Sequence, residues 1–538
     1  EQPHDERRRQ PHPREPAAPL ALALDGSSLT LEQLEAVALS HSTALTVTEG
    51  ARSAMAASRA VVEGALGSST PVYGVTTGFG RLADVSISRD RLEELQINLL
   101  RSHACGVGVP LGRAETRAAM LLRANVLAKG ASGIRPVVVD LLLAMLNAGV
   151  HPVIPSQGSV GASGDLAPLS HMALVLVGEG SAEYRGEVLP GGVALARAGL
   201  TPVRLAAKEG LALNNGTQVL SAVGALALLG AERAVETLEV AGAMSLEALK
   251  GTPAAFHPAI HAVRPHKGQI TSATRLRALL ADSEIRDSHK HHDKAVQDAY
   301  SLRCMPQIHG AARACLAFVR SVLEVEANSA TDNPLIFPGA GEGGSHLIVS
   351  GGNFHGQPVA QALDLLAIAL TDMGAVSERR IERLVNPDLS GALPPFLPTA
   401  PGVSSGFMIA QITAASLIAD NRVLSHPASV DSLPTGAGKE DIVSMGMTSA
   451  RKARDVLANT EIVLAIELLC AAQGLEFRRP LRPGVGVASA YAAVRRAVPA
   501  LGKDRILGND INAMTDVVRA GAFATTYAGL PDPLAHAL

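Results

Sequence analysis

The segment Ser156-Gln-Gly-Ser-Val-Gly-Ala-Ser-Gly-Asp165 sets Gly158, Gly161 and Gly164 around the triplet Ala162-Ser163-Gly164. Glycine takes backbone conformations closed to residues with a Cβ, and by composition alone the stretch reads as an exposed turn. The triplet permits something further. If the Gly164 nitrogen closes onto the Ala162 carbonyl carbon and Ser163 loses water, an imidazolone with an exocyclic methylene results. Small residues at all three positions leave room for that approach. The product is a strong electrophile, which no standard side chain supplies.

Other chemistry-bearing spacings carry less. His289, His291, His292 and Asp293 look like a metal cluster, but Lys290 and Lys294 interleave them and the spacing does not close a tetrahedral site, so no metal is expected. Gly106-Val-Gly108 lacks the third glycine and the strand–turn–helix setting of a nucleotide fingerprint. Asn215-Gly-Thr217 has the glycosylation pattern without a secretory signal. Gly161-Ala-Ser163 fails the Gly-x-Ser-x-Gly spacing of a nucleophile elbow at Asp165.

The elements that must hold the triplet are helices. Of 538 residues, 47% are hydrophobic, 18% charged and only 3% aromatic, with no Trp, so Ala, Leu and Val must fill the interior. The expected fold is mainly α: a long central helical bundle with a mixed N-terminal part carrying the Ala162-Ser163-Gly164 loop. Apolar residues recur at helical spacing in Phe318, Val319, Val322 and Leu323, and again in Leu457, Leu464 and Leu468. Strands are expected around Tyr184 to Val203. The divisions read as a disordered tail over 1–19, a mixed domain over 20–205, a central helical domain over 206–480 and a helical cap over 481–538. Lys plus Arg (47) nearly balance Asp plus Glu (50), and a net charge of −3 offers nothing to nucleic acid or an anionic membrane. No apolar run reaches the roughly 18 to 20 uninterrupted residues of a membrane span. Four scattered cysteines, Cys105, Cys304, Cys315 and Cys470, make no CxxC motif and suit a reducing cytoplasm.

Several motifs, in order, resemble one family. They are Tyr73-Gly-Val-Thr-Thr-Gly-Phe-Gly80, Gly158-Ser-Val-Gly-Ala-Ser-Gly-Asp-Leu-Ala-Pro-Leu169, Asn215-Gly-Thr-Gln218, Gln297-Asp-Ala-Tyr-Ser-Leu-Arg303, Gly351-Gly-Asn-Phe-His355 and Ser405-Gly-Phe-Met408. The chain after its tail is similar to the ammonia-lyases and aminomutases of aromatic amino acids, which build a methylideneimidazolone (MIO) group from their own Ala-Ser-Gly. The resemblance implies MIO from Ala162, Ser163 and Gly164 as the only prosthetic group, with no metal and no nucleotide. It implies Tyr73 as the base for the β-proton and Tyr300 as an accessory acid or base, with the division of labour between them open. It further implies that Arg303 grips the substrate carboxylate, that Asn215 and Gln297 contact the amino group, the carboxylate or the MIO oxygen, and that Phe354 packs beside the ring. Relatives are homotetramers with shared active sites, so an isolated monomer is expected to be inactive.

Two places resemble the family's choice of substrate. Ser102-His103 matches the pair in members acting on histidine, where those acting on phenylalanine are apolar. Glu440 stands where histidine enzymes carry Glu and phenylalanine or tyrosine enzymes Gln. A carboxylate can accept a hydrogen bond from an imidazole N–H but is costly beside a phenyl ring. The resemblance thus implies removal of ammonia from L-histidine to give trans-urocanate, in histidine degradation. The alternatives are tyrosine or phenylalanine elimination, 2,3-aminomutation, or action on a betaine relative of histidine, since Gly438-Lys439-Glu440-Asp441-Ile442 departs from the histidine enzymes' Asn-Gln-Glu-Asp-His and Asn214 replaces a commoner Leu. Lys439 could pair with Glu440 or meet a substrate anion.

Overall fold

The structure, a computed structural model, describes residues 21–40, 44–66, 72, 74–78, 87–291 and 296–534. The tail 1–19, Tyr73, His292 and Asp293 lie outside the described residues.

Ala- and Leu-rich sequence with few aromatics packs helices closely, and four long ones dominate: Gln218–Ala248, Met305–Glu326, Gln357–Val385 and Gly446–Glu476. They pack on one another, with Met408–Leu424 and Leu507–Arg519 against the outside. Gly224 and Gly230 on Gln218–Ala248 mark two close approaches. A Cβ there would come within 2.7 Å of Leu363 and 2.6 Å of Leu457, so only glycine lets those leucines seat against the backbone. Each fully buried leucine contributes about 2 kcal/mol. Deep in the bundle Arg380 and Glu467 form a 2.5 Å ion pair, both wholly buried. Ser245 and Ser377 donate to the same carboxylate at 2.7 and 2.6 Å, tying three helices in register.

Gln218–Ala248 and Gln357–Val385 have the length and apolar character of membrane spans, but both are mostly buried inside the bundle. The helix Met305–Glu326 departs from expectation at Phe318: Val319 and Leu323 are buried, while Phe318 stays half exposed. The buried stripe, Ala312, Leu316, Val319 and Leu323, runs at spacings of three and four and leaves Phe318 on its edge.

The N-terminal part is mixed. Ala21–Leu24 pairs in parallel with Ala44–Val47 around the helix Leu31–Leu39, which starts at Thr30 through a capping box with Gln33. Val150–Pro152, Ser181–Tyr184 and Glu187–Pro190 form an antiparallel sheet. The strands expected across 184–203 therefore end early, and Gly191–Arg197 is a helix. Arg185 and Gly186 both have positive φ, 53° and 85°, and make the two-residue hairpin turn, after which Ala194 and Leu195 are buried at helical spacing. Val107–Pro110 pairs with Pro155–Gln157, which delivers the chain into the glycine-rich loop.

Candidate active site

The loop 158–165 runs from strand Pro155–Gln157 to helix Leu166–Leu176 and is clamped on several sides. Gly164 has φ +70° and forms a bridge with Gly216, where a Cβ would sit 2.0 Å from the Gly216 oxygen, so no other residue fits. Asp165 N donates to that same oxygen at 2.7 Å. The Gly161 carbonyl accepts from Gly356 N at 3.1 Å and from Ser444 Oγ at 3.0 Å, and Met445 N donates to Val160 O at 2.7 Å. Segments nearly 300 positions apart in sequence thus immobilise Ala162-Ser163-Gly164.

Below the loop lies buried charge. Asp165 accepts from Leu220 N at 2.7 Å and Ser159 Oγ at 2.9 Å, and burial still pushes its carboxyl up to about 6. Arg123, wholly buried, donates to the carbonyls of Ala212 and Asn215 at 2.9 and 3.0 Å and to Gln218, and burial lowers it to about 10. Lys208 and Asp332 pair at 2.8 Å with neither side chain exposed. This frame presents Asn215, whose Nδ2 donates to the Ser163 carbonyl at 3.0 Å. Among the described residues, Asn215 Oδ1 is buried without a partner.

Two cavities meet at Ser163. One, of about 530 Å³, is lined by Ala162, Ser163, Asn215, Asn333, Phe354, His355, Lys439 and Glu440 among others. The second, of about 330 Å³, is lined by Ser102, His103, Cys105, Ala162, Ser163, Thr435 and Glu440 among others. Ala162, Ser163 and Glu440 belong to both. Ser163 Oγ donates to Glu440 Oε1 at 3.1 Å, and Thr435 Oγ1 donates to Oε2 at 2.5 Å. His103 Nδ1 lies 3.0 Å from Ser102 Oγ; burial lowers its pKa, against the opposing pull of the Leu99 carbonyl and the Glu440 charge.

Residues 29–496 match the aromatic amino acid lyase family. The chain belongs to that family. Accordingly it is a carbon–nitrogen lyase. It is 58% identical over 508 residues to the histidine ammonia-lyase of Anaeromyxobacter sp. (strain K), covering 93% of this chain and 99% of that protein. It superposes on the crystal structure of histidine ammonia-lyase from Trypanosoma cruzi with a TM-score of 0.87 at 46% identity, over 94% of this chain and 95% of that one. Tyrosine aminomutase from Streptomyces globisporus gives a TM-score of 0.88 at 40% identity, over 96% and 99%. The shared fold therefore does not discriminate among substrates.

Within this lyase the expected site residues fall into two groups. Ala162, Ser163, Gly164, Asn215, Phe354, His103 and Glu440 come together around the two cavities. Gln297, Tyr300 and Arg303 line neither. Tyr300 is 68% exposed at the start of the four-residue helix Tyr300–Arg303, with the Arg303 guanidinium 4.7 Å from its ring centroid. Within the histidine cluster, both His289 ring nitrogens face backbone carbonyls, of Ile285 at 2.7 Å and Gly251 at 3.3 Å.

Thr435, Asn333 and His355 were not anticipated from sequence as site residues. His355 stands in a recognised motif, and its Nε2 lies 3.2 Å from the Ile442 carbonyl, linking the Phe354 turn to the Glu440 loop. Thr435 carries no motif signal of its own; its proximity to Glu440 comes from the backbone reversal between them.

Proposed function

We propose that this lyase removes ammonia from L-histidine to give trans-urocanate, with an MIO group made from Ala162, Ser163 and Gly164. The observation that carries the reading is Glu440, a carboxylate held 3.1 Å from Ser163 Oγ with His103 on the adjoining wall. Such a carboxylate suits a ring with an N–H to donate and is costly beside a phenyl or phenol ring. Relatives at 58% and 55% identity that carry the name histidine ammonia-lyase support the same choice.

The residues present fit the MIO group. Asn215 Nδ2 already donates to the Ser163 carbonyl, the oxygen that the closed ring would retain, so the chain holds a donor where negative charge would develop. The unpartnered Asn215 Oδ1 leaves an acceptor over for a substrate ammonium. When formed, the group supplies an electrophilic methylene that turns the substrate amine into a better leaving group. This chain's residues do the rest: Glu440 and His103 orient the imidazole, Phe354 walls the cavity, and Tyr73 takes the β-proton.

Carboxylate capture by Arg303 requires a second copy. Gln297 and Tyr300 are exposed and, among the described residues, Arg303 Nε is buried without a partner, away from either cavity. Phe318, Val325, Ile409 and Ile412 are also at least half exposed on long helices, a surface suited to burial between copies. We therefore assign a homotetramer in which these three residues serve a neighbour's site. The four cysteines are all unpaired, which suits the cytoplasm.

The test is an ultraviolet assay with L-histidine, L-tyrosine and L-phenylalanine supplied separately, alongside intact mass. Urocanate from histidine alone and a deficit of two waters at Ala162-Ser163-Gly164 are expected. A modified protein that ignores histidine would overturn the use of His103 and Glu440, and an active protein of unmodified mass would overturn the MIO reading.

A further inference from the structure

We infer that Thr435 is a specificity-determining positioning residue of this site: its hydroxyl aims Glu440, so that one carboxylate oxygen is left to face the substrate ring. This rests on the reading of Glu440 as the imidazole's acceptor and names the residue that makes Glu440 selective.

A glutamate by itself discriminates poorly. Several side-chain torsions separate its carboxylate from the backbone, and the last of them is broad, so an unheld carboxylate can turn away from a ring that offers it nothing. Here it is held at both ends. Thr435 N donates to Glu440 O at 2.8 Å and Glu440 N to Thr435 O at 3.3 Å. Thr435 Oγ1 also donates to Glu440 Oε2 at 2.5 Å, so one residue fixes both the backbone and the carboxylate. The reversal between them is shaped around that carboxylate. Gly436 and the non-glycine Ala437 both take φ of +57°, a left-handed conformation unfavourable to residues with a Cβ. A Cβ on Gly436 would meet the carboxylate carbon at 3.2 Å and Oε2 at 3.3 Å, so glycine leaves room there for the Glu440 head group. Further along, Val443 N donates to Ser432 Oγ at 2.8 Å and closes the same loop a second time.

With Oε2 tied, Oε1 is the oxygen left to read the ring. Its direction is marked by the donor it already has, Ser163 Oγ at 3.1 Å. On the proposed reading that hydroxyl is consumed when the electrophile forms, and Oε1 then needs a donor at the place where substrate arrives. A ring carrying an N–H supplies one. A phenyl ring leaves a desolvated carboxylate unpaired, and the carboxylate cannot swing back to water because Thr435 holds its other oxygen. Thr435 thus acts through Glu440, favouring the ring that brings a donor and penalising the ring that does not. Thr435, Glu440 and His103 line the same cavity of about 330 Å³.

The test measures equilibrium binding of L-histidine and of L-phenylalanine by calorimetry to the full-length, assembled protein in a Ser163→Ala background, where no ring forms and Oε1 is open. This parent should prefer histidine. Thr435→Val should cut the preference about tenfold, chiefly by weakening histidine, as expected for one hydrogen bond to a charged group, and Thr435→Ser should restore it to within about threefold. With Glu440→Ala also present, Thr435→Val should move histidine binding by less than about twofold, because the hydroxyl has no carboxylate left to aim. In chains that keep Ser163, Thr435→Val should lower kcat/KM for histidine about tenfold while the intact mass stays that of the wild type. A preference unmoved by Thr435→Val, a loss shared equally by both ligands, a loss that Thr435→Ser does not restore, or a loss that persists without Glu440 overturns the proposal and leaves Glu440's own role intact. A parent that binds phenylalanine as tightly as histidine overturns the reading of Glu440 and the proposal with it. If Thr435→Val does not fold, Thr435→Ala in the same cycle decides by the same outcomes.

Discussion

The loop around Ser163 and the segment Gln297–Arg303 carry equally recognisable motifs, yet the fold treats them oppositely. The first is pinned by four other segments of the same chain, with its carbonyl, hydroxyl and flanking aspartate all bonded internally. The second ends in a single helical turn with its tyrosine exposed and a buried guanidinium nitrogen that has no partner among the described residues. On the proposed reading, chemistry that needs compression and exact backbone placement is completed within one chain. Residues that only grip or exchange protons with a substrate can be brought by another, and a single copy leaves them facing outward.

The strongest way to break this contrast is Ser163→Ala. Activity should drop to about a thousandth or less while the helical fold and melting temperature hold, since the electrophile is lost and its clamps are not. Asn215→Ala should cost about 10²-fold in kcat, the expected loss of one donor to a developing oxyanion, with a smaller effect on KM. Arg303→Lys should reduce kcat/KM about 30-fold, because a point charge cannot replace a bidentate fork. Co-expressing Ser163→Ala with Arg303→Ala chains sharpens the contrast: hybrid assemblies should recover activity that neither variant has alone. A complete absence of recovery would place Arg303 at its own chain's site and dissolve the distinction between the two regions.

Stability measurements probe the supporting frame. Lys208→Met strands Asp332 as a buried unpaired carboxylate and should destabilise the chain by about 3–5 kcal/mol in a denaturant titration. The smallest effect concerns pH. Burial raises Asp165, so its stabilising contribution is present in acid and lost as pH rises through about 6. The melting temperature should decline across that interval, and Asp165→Asn should flatten the decline by about 2–4 °C even though it melts lower throughout.

Most of the site could be read before any coordinates. Ala162-Ser163-Gly164 is legible because only small residues permit the ring, Asn215 and Phe354 because their motifs stand in the family's order, and Glu440 because the family varies between Glu and Gln at that place. Thr435 was not, since a threonine in a Gly- and Pro-rich stretch has many ordinary uses and its hydroxyl matters only where the chain reverses onto Glu440. Arg123, Lys208 and Asp332 escaped for a related reason. Charged residues are mostly solvated, and nothing local in sequence marks the few that are paired in the interior. Among the elements, the helices were anticipated from spacing, whereas the 184–203 region was misjudged at its end. Gly191–Arg197 is too short for periodicity to separate helix from strand, and burial of Ala194 and Leu195 settled it.

Residue types alone were enough to specify a mainly helical interior, because small side chains pack helices closely, and the same small side chains at Ala162-Ser163-Gly164 leave room for the backbone cyclisation proposed here. Which residues stand together was a matter for the folded chain. Ser163 and Glu440 are 277 positions apart, and only closure of the bundle brings the hydroxyl and the carboxylate within a hydrogen bond. Tyr300 and Arg303 remain outside that closure: Leu302 anchors their short turn in the helical core, away from the Ser163 loop, and leaves Tyr300 facing outward.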